Sequence, residues 1–166
     1  MAAAAARVPH AHFHCASLED AGAIPAGAFD LVTCSGVIEI FDDLTVPLAQ
    51  IVHALRPGGL ALVQSIFNPQ PVDVLMRYRR ADLPGEWERG WNMHARVTIE
   101  RLLHTMSHGG LELTYEWEPF RLSMDLPRRD DVMRAWTVET AADPHQQVNG
   151  AGQWLHPTIL HIRRVA

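Results

Sequence analysis

One stretch, FDLVTCSGVIEIFDDLTVPLAQIVHALRPGGLALVQSIF from Phe29 to Phe67, constrains the fold more than any other, because its apolar spacing changes period twice. Phe29, Leu31, Val32 and Cys34 make a nearly continuous apolar run, as in a strand covered on both faces of a parallel sheet. Asp42 and Asp43 offer N-caps, and Leu48, Ile51, Val52 and Leu55 recur at i, i+3, i+4 and i+7, one face of an amphipathic helix. Pro57, Gly58 and Gly59 are expected to stop that helix, after which Leu60, Leu62, Val63 and Ile66 begin a second buried strand. Strands joined through a helix run parallel, so residues 29–67 read as a core βαβ unit with a right-handed crossover.

The 166 residues are 48% hydrophobic and 20% charged, enough for one core, and a single domain over 1–166 is expected. A net charge of −5 without a basic stripe argues against nucleic acid or an anionic membrane as partner. Cys15 and Cys34 both fall in expected buried strands and do not form a CxxC pair, which favours a reducing, cytoplasmic setting over a disulfide or zinc framework. In the opening MAAAAARVPH the apolar run precedes the first Arg and is too short for a secretory signal or a membrane span.

The Ala-rich start reads as a helix leading into a strand over residues 11–16. On that strand His10, His12 and His14 would share one face, a spacing open to a metal or simply to solvent, and no metal is assigned. Asn68 to Pro71 reads as a turn, with a short helix through Val72, Leu75 and Met76 ending at Arg77, Arg79 and Arg80. Trp87 and Trp91, flanked by Gly85 and Gly90, make an aromatic loop that suits a binding lid or a packed surface. Val97 to Gly110 is the clearest helix, with Thr98 as N-cap, a Val97–Leu102 staple and Gly109 as terminator. His104 and His108 share its face without the intervening Glu of a zinc-protease motif. Leu111, Leu113, Tyr115 and Trp117 alternate with polar residues, marking an antiparallel or edge strand. Residues 119–157 are irregular, with a loop over 125–131, a strand over 135–140 and an Asn149-Gly150 turn. Thr158 to Arg163 closes the chain as a final strand.

Taken together, FDLV, SGVIE and LRPGG at these separations resemble the central part of the class I S-adenosylmethionine-dependent methyltransferases. CASLED before them and Val97 to Gly110 after them extend the resemblance over most of the chain. It implies an α/β, Rossmann-like sheet with an antiparallel carboxyl-terminal portion, and methyl transfer from S-adenosylmethionine to a small-molecule acceptor. Residues 119–157 would be an insertion. By position, Ser17 and Leu18 would meet the adenine, and Ser35, Gly36 and Val37 would line the carboxyl edge of the sheet. Read without the family, Ser17 is equally an N-cap before a surface turn.

The pattern departs from the family in three places. Ser17 stands where an Asp is usual, and Ile40 replaces a His often found beside Glu39. No general base is therefore assigned, and Glu39 and His94 are the residues to mutate first. The glycine-rich loop after the family's first strand is not found, so the domain is expected to be an amino-terminally truncated one. The family order 3-2-1-4-5-7-6 would then leave the Phe29 strand open, to be covered by the strand near His12, by a second copy or by a partner chain. Two readings follow: a methyltransferase with weakened hold on its cofactor, or a non-catalytic module acting through that edge. A nicotinamide-dependent oxidoreductase, which needs a GxGxxG, ranks last.

Overall fold

The computed structural model describes residues 2–20, 22 and 24–165. Helix α1 (Ala2–Arg7) is followed by extended chain, β1 (Phe29–Ser35), a 3-10 turn (Ile38–Ile40), α2 (Thr45–Ala54) and β2 (Leu55–Asn68). Three two-residue strands, β3 (Arg77–Tyr78), β4 (Glu88–Arg89) and β5 (His94–Ala95), lead to α3 (Arg96–His108) and β6 (Leu113–Pro119). The chain ends with β7 (Trp136–Val138), β8 (Gln146–Val148), β9 (Trp154–Leu155) and β10 (Pro157–Arg164).

The main sheet has the order β1-β2-β10-β6, with β5 added at the end of β2. β1 and β2 are parallel, Cys34 beside Val63, as the βαβ reading requires. β10 inserts antiparallel between β2 and β6, with Leu160 opposite both Val63 and Trp117. The sheet is thus mixed α/β, and its four strands keep the expected sequence of the family's fourth, fifth, seventh and sixth. β6 is the alternating edge strand that its pattern foretells. Hairpin β3-β4 and the three-stranded sheet β7-β8-β9 lie outside it.

The core joins Leu48, Ile51, Val52 and Leu55 to Val63, Phe67, Ile99, Leu103, Leu160 and Ile162, each at most 1% exposed. Burying a side chain of this size contributes about 1.5–3 kcal/mol. Phe67 also meets the Trp117 ring edge-on at 4.9 Å between centroids.

Five expectations are corrected. β1 is not covered on both faces: Phe29 is 40% and Leu31 53% exposed, and no strand lies on its outer side among the described residues. The strand over 11–16 does not form, and His10, His12, His14 and Cys15 are exposed on extended chain. Its amides are open to water, and no strand among the described residues pairs with it. Helix α2 ends at Ala54, before Pro57, because the preceding chain takes its last carbonyls: Gly27 N–H donates to His53 O at 2.7 Å and Ala28 N–H to Ala54 O at 3.0 Å. Leu55 to Gly59 instead open β2, and Gly59 is required there, since a Cβ would lie 2.9 Å from Arg56 O and 3.0 Å from Phe29 O.

Residues 72–76 are not helical, because Val74 and Met93 exchange backbone hydrogen bonds of 3.0 and 2.9 Å in an antiparallel bridge. Thr98 is not the N-cap of α3. The helix begins at Arg96, and Asp73 serves its start from a distance, accepting from Ala95 N–H at 2.6 Å and Thr98 Oγ1–H at 2.8 Å. Asp43 does assist the start of α2, accepting from Thr45 N–H at 2.7 Å.

Candidate functional site

The carboxyl ends of β1 and β2 lie side by side, and in open α/β sheets this is where ligands bind. Ser35 ends β1 and donates from Oγ to Gln64 Oε1 at 2.7 Å. Gly36 follows with φ +63°, a left-handed conformation that turns the chain off the sheet while its N–H donates to Gln64 O at 3.0 Å. A Cβ at Gly36 would lie 3.6 Å from Glu39 Oε1, so the carboxylate sits directly over this turn. Its other oxygen accepts from Ser65 Oγ–H of β2 at 2.7 Å. Ser35, Gly36, Val37 and Glu39 are therefore brought together at one rim.

Ser17 and Leu18 stand on a separate turn. Ser17 Oγ accepts from Glu19 N–H at 3.1 Å and Ser17 O from Asp20 N–H at 3.2 Å. Gln50 of α2 donates to Asp20 O, and Leu18 packs against the core, which attaches this turn to the βαβ unit.

His94 is 4% exposed and its ring is held. Nε2 lies 2.9 Å from Phe41 O, an acceptor, so Nε2 carries the proton, and Nδ1 is 4.0 Å from Asp73 Oδ1. It lines a cleft with Asp42, Asp43 and Thr98.

The pattern of the sequence pointed to none of Asn92, Ser65 and Asp73, which organise this region. Asn92 is fully buried and its N–H donates to Glu39 O at 2.8 Å, joining the Trp91 segment to the rim. Beside Trp91 opens a cavity of about 510 Å³, lined also by Tyr78, Leu126, Arg129, Asp131 and Met133. Trp87 remains 66% exposed, with Arg79 stacked 5.5 Å from its ring centroid.

Two charge effects are open to measurement. Burial pushes the Cys34 thiol up to about 11, with the Glu39 carboxylate adding to the rise. At pH 8 a disulfide reagent should react promptly with the exposed Cys15 and reach Cys34 only on unfolding. The hydrogen bond from Arg77, aided by Asn92, holds the Asp42 carboxyl below its ordinary value. That contribution to stability is complete above the unfolded carboxylate value near ~3.9 and is lost as pH falls through the folded one. Asp42→Asn should flatten the decline of the melting temperature below about pH 4.

An α/β sheet with a parallel βαβ unit, an antiparallel inserted last strand and a glycine turn at the carboxyl edge defines a methyltransferase-type fold. Residues 1–63 match the family model of the methyltransferase domain. No curated protein matches the sequence. Among solved structures, the chain superposes on the Burkholderia thailandensis 1,6-didemethyltoxoflavin-N1-methyltransferase, which holds 1,6-didemethyltoxoflavin and S-adenosylhomocysteine, with TM-score 0.53 and 15% identity. That match covers 99% of this chain and 56% of the other. An S-adenosylmethionine-dependent methyltransferase from Mesorhizobium loti gives TM-score 0.55 and 15% identity over 98% of this chain and 75% of its own. The chain therefore spans little more than half the length of the first of these enzymes. Its first 63 residues are thus similar to the methyltransferase domain, and its fold over nearly its whole length is similar to that of S-adenosylmethionine-dependent methyltransferases. No helix among the described residues is long and apolar enough to cross a membrane.

Proposed function

We propose that this chain is a methyltransferase domain that takes S-adenosylmethionine at the rim of β1 and β2 and methylates a small molecule in the cavity beside Trp91. The observation that carries the reading is the Gly36 turn with Glu39 above it, at the carboxyl ends of two adjacent parallel strands. The residues fit the cofactor in part. Gly36 allows close backbone approach, Ser35 and Gly36 are exposed, and Ser17 keeps its own hydroxyl proton to donate to an adenine nitrogen. A glycine-rich cradle for the methionine end is not among these residues.

The bound cofactor would supply a methyl group activated on sulfonium. The protein's part is positioning, which alone accounts for much of the acceleration of a displacement. Asn92 couples the cavity wall to the Glu39 loop, and Glu39, held by Ser65, is the group that could orient or deprotonate an acceptor. The cavity falls within the size range of small-molecule sites. The two free thiols support a cytoplasmic setting.

Titration calorimetry with S-adenosylhomocysteine tests this. With the adenine and rim contacts alone, a dissociation constant near or above ~100 µM is expected, about −5.5 kcal/mol. Gly36→Val, which forces a branched residue into φ +63°, should weaken binding at least tenfold. Absence of saturable heat from a folded chain at several millimolar ligand would overturn the reading. A second reading, association through the open edge of β1 with another copy or a partner chain, is favoured by the exposure of Phe29 and Leu31. The mass in solution, measured on the same sample, tests association with another copy, and a monomer at the titration concentration would exclude that.

A further inference from the structure

A second cavity, of about 290 Å³, opens where β6 and β10 meet the segment before β8. Arg96, Arg121, His145 and His156 line it, with Asp143 as the acidic residue in its wall. Asp143 accepts from His145 N–H at 2.8 Å, and His145 Nδ1 lies 3.0 Å from Asp125 Oδ1. Arg121 has no hydrogen bond or ion pair among the described residues. The lining is thus cationic in excess, although the chain as a whole is acidic.

Arg96 is held from two sides. Its guanidinium carbon stands 5.2 Å from the centroid of the Trp117 ring, and one terminal nitrogen donates to Thr158 Oγ1 at 3.2 Å. Trp117 is itself fixed by donating to Glu100 Oε1 at 2.9 Å. Arg96 Nε is buried, and among the described residues it is the side-chain nitrogen or oxygen in that position without a partner. A buried donor on a charged group left unsatisfied is unfavourable, so an oxygen that reached it would be favoured. The guanidinium fork matches an oxyanion with two oxygens, and a fork already clamped loses little freedom on binding one.

We propose that this cavity is an oxyanion site, in which the Arg96 fork takes the carboxylate or phosphate group of a small molecule and Arg121 supplies a second cation. The site is separate from the β1–β2 rim and does not depend on methyl transfer.

Calorimetric titration with inorganic phosphate and, separately, with acetate, at ionic strength held constant with chloride, tests the assignment. Saturable millimolar binding of one of them is expected, and the tighter one names the group. Arg96→Lys keeps the charge but removes Nε–H and the fork, and should weaken binding at least tenfold. Arg121→Ala, an exposed change that leaves the fold intact, should weaken it about threefold. Binding unchanged in both variants, or no saturable binding of either anion, would overturn the proposal. If Arg96→Lys does not fold, Arg121→Ala decides alone, and unchanged affinity there overturns it.

Discussion

Truncating Phe67 to alanine is expected to lower the unfolding free energy by about 3–5 kcal/mol, the range for removing a large aromatic from a packed core. The ring is 1% exposed, stacks edge-on against Trp117, and sits where β2 pairs with β5 through Phe67 and His94. Its loss would open a cavity between the main sheet and α3, whose inward residues Ile99 and Leu103 belong to the same core. Urea unfolding should show a lower midpoint with an unchanged slope. A loss below about 1 kcal/mol would mean that the core is not packed around this ring.

Replacing Asn92 by alanine is expected to cost about 2–4 kcal/mol, the sum of an orphaned buried donor and a lost hydrogen bond. Asn92 Nδ2 donates to Phe41 O at 2.8 Å and to Asp42 Oδ1 at 3.1 Å, while its Oδ1 accepts from Met76 N–H at 2.7 Å. Phe41 O retains His94, but Met76 N–H would have nothing in place of the amide. Asn92→Asp would still accept from Met76 but would set a carboxylate against Asp42 and a carbonyl. Its deficit relative to the parent chain should therefore be smaller at pH 4 than at pH 7, which thermal melts at the two values would reveal. Equal deficits at both would show that charge at this position does not matter. The backbone N–H of residue 92, which donates to Glu39 O, is kept in the alanine variant, so the deficit reports the side-chain amide alone.

The βαβ unit was legible because period alone separates its parts: Leu48, Ile51 and Val52 must share a helix face, and Leu60 to Phe67 must be buried. The alternation through Tyr115 and Trp117 likewise announced an edge strand. SGVIE placed Gly36 at the carboxyl edge of the sheet, and the structure adds that it turns there with φ +63°.

Long-range pairing was not legible. The run at Phe29 looks buried from its composition, yet burial depends on what lies beside a strand, and here one side is open. Residues 72–76 have helical spacing, but Val74 among them bridges to Met93, and the stretch at His12 has strand spacing but pairs with nothing among the described residues. The start of α3 is served by Asp73, more than twenty residues earlier, in place of the local Thr98.

The same division runs through the site. Local conformation, set by side-chain period and by glycine, was determined by the sequence itself: the two parallel strands, their crossover helix and the turn between them. Only the tertiary structure decided that Ser65 and Asn92 would hold Glu39, that His94 would be locked on Phe41 O, and that Arg96 would be clamped over Trp117 with one donor unmet. Those contacts join residues far apart in the chain, and hydrogen bonding between such residues leaves no periodic trace in the order of the amino acids.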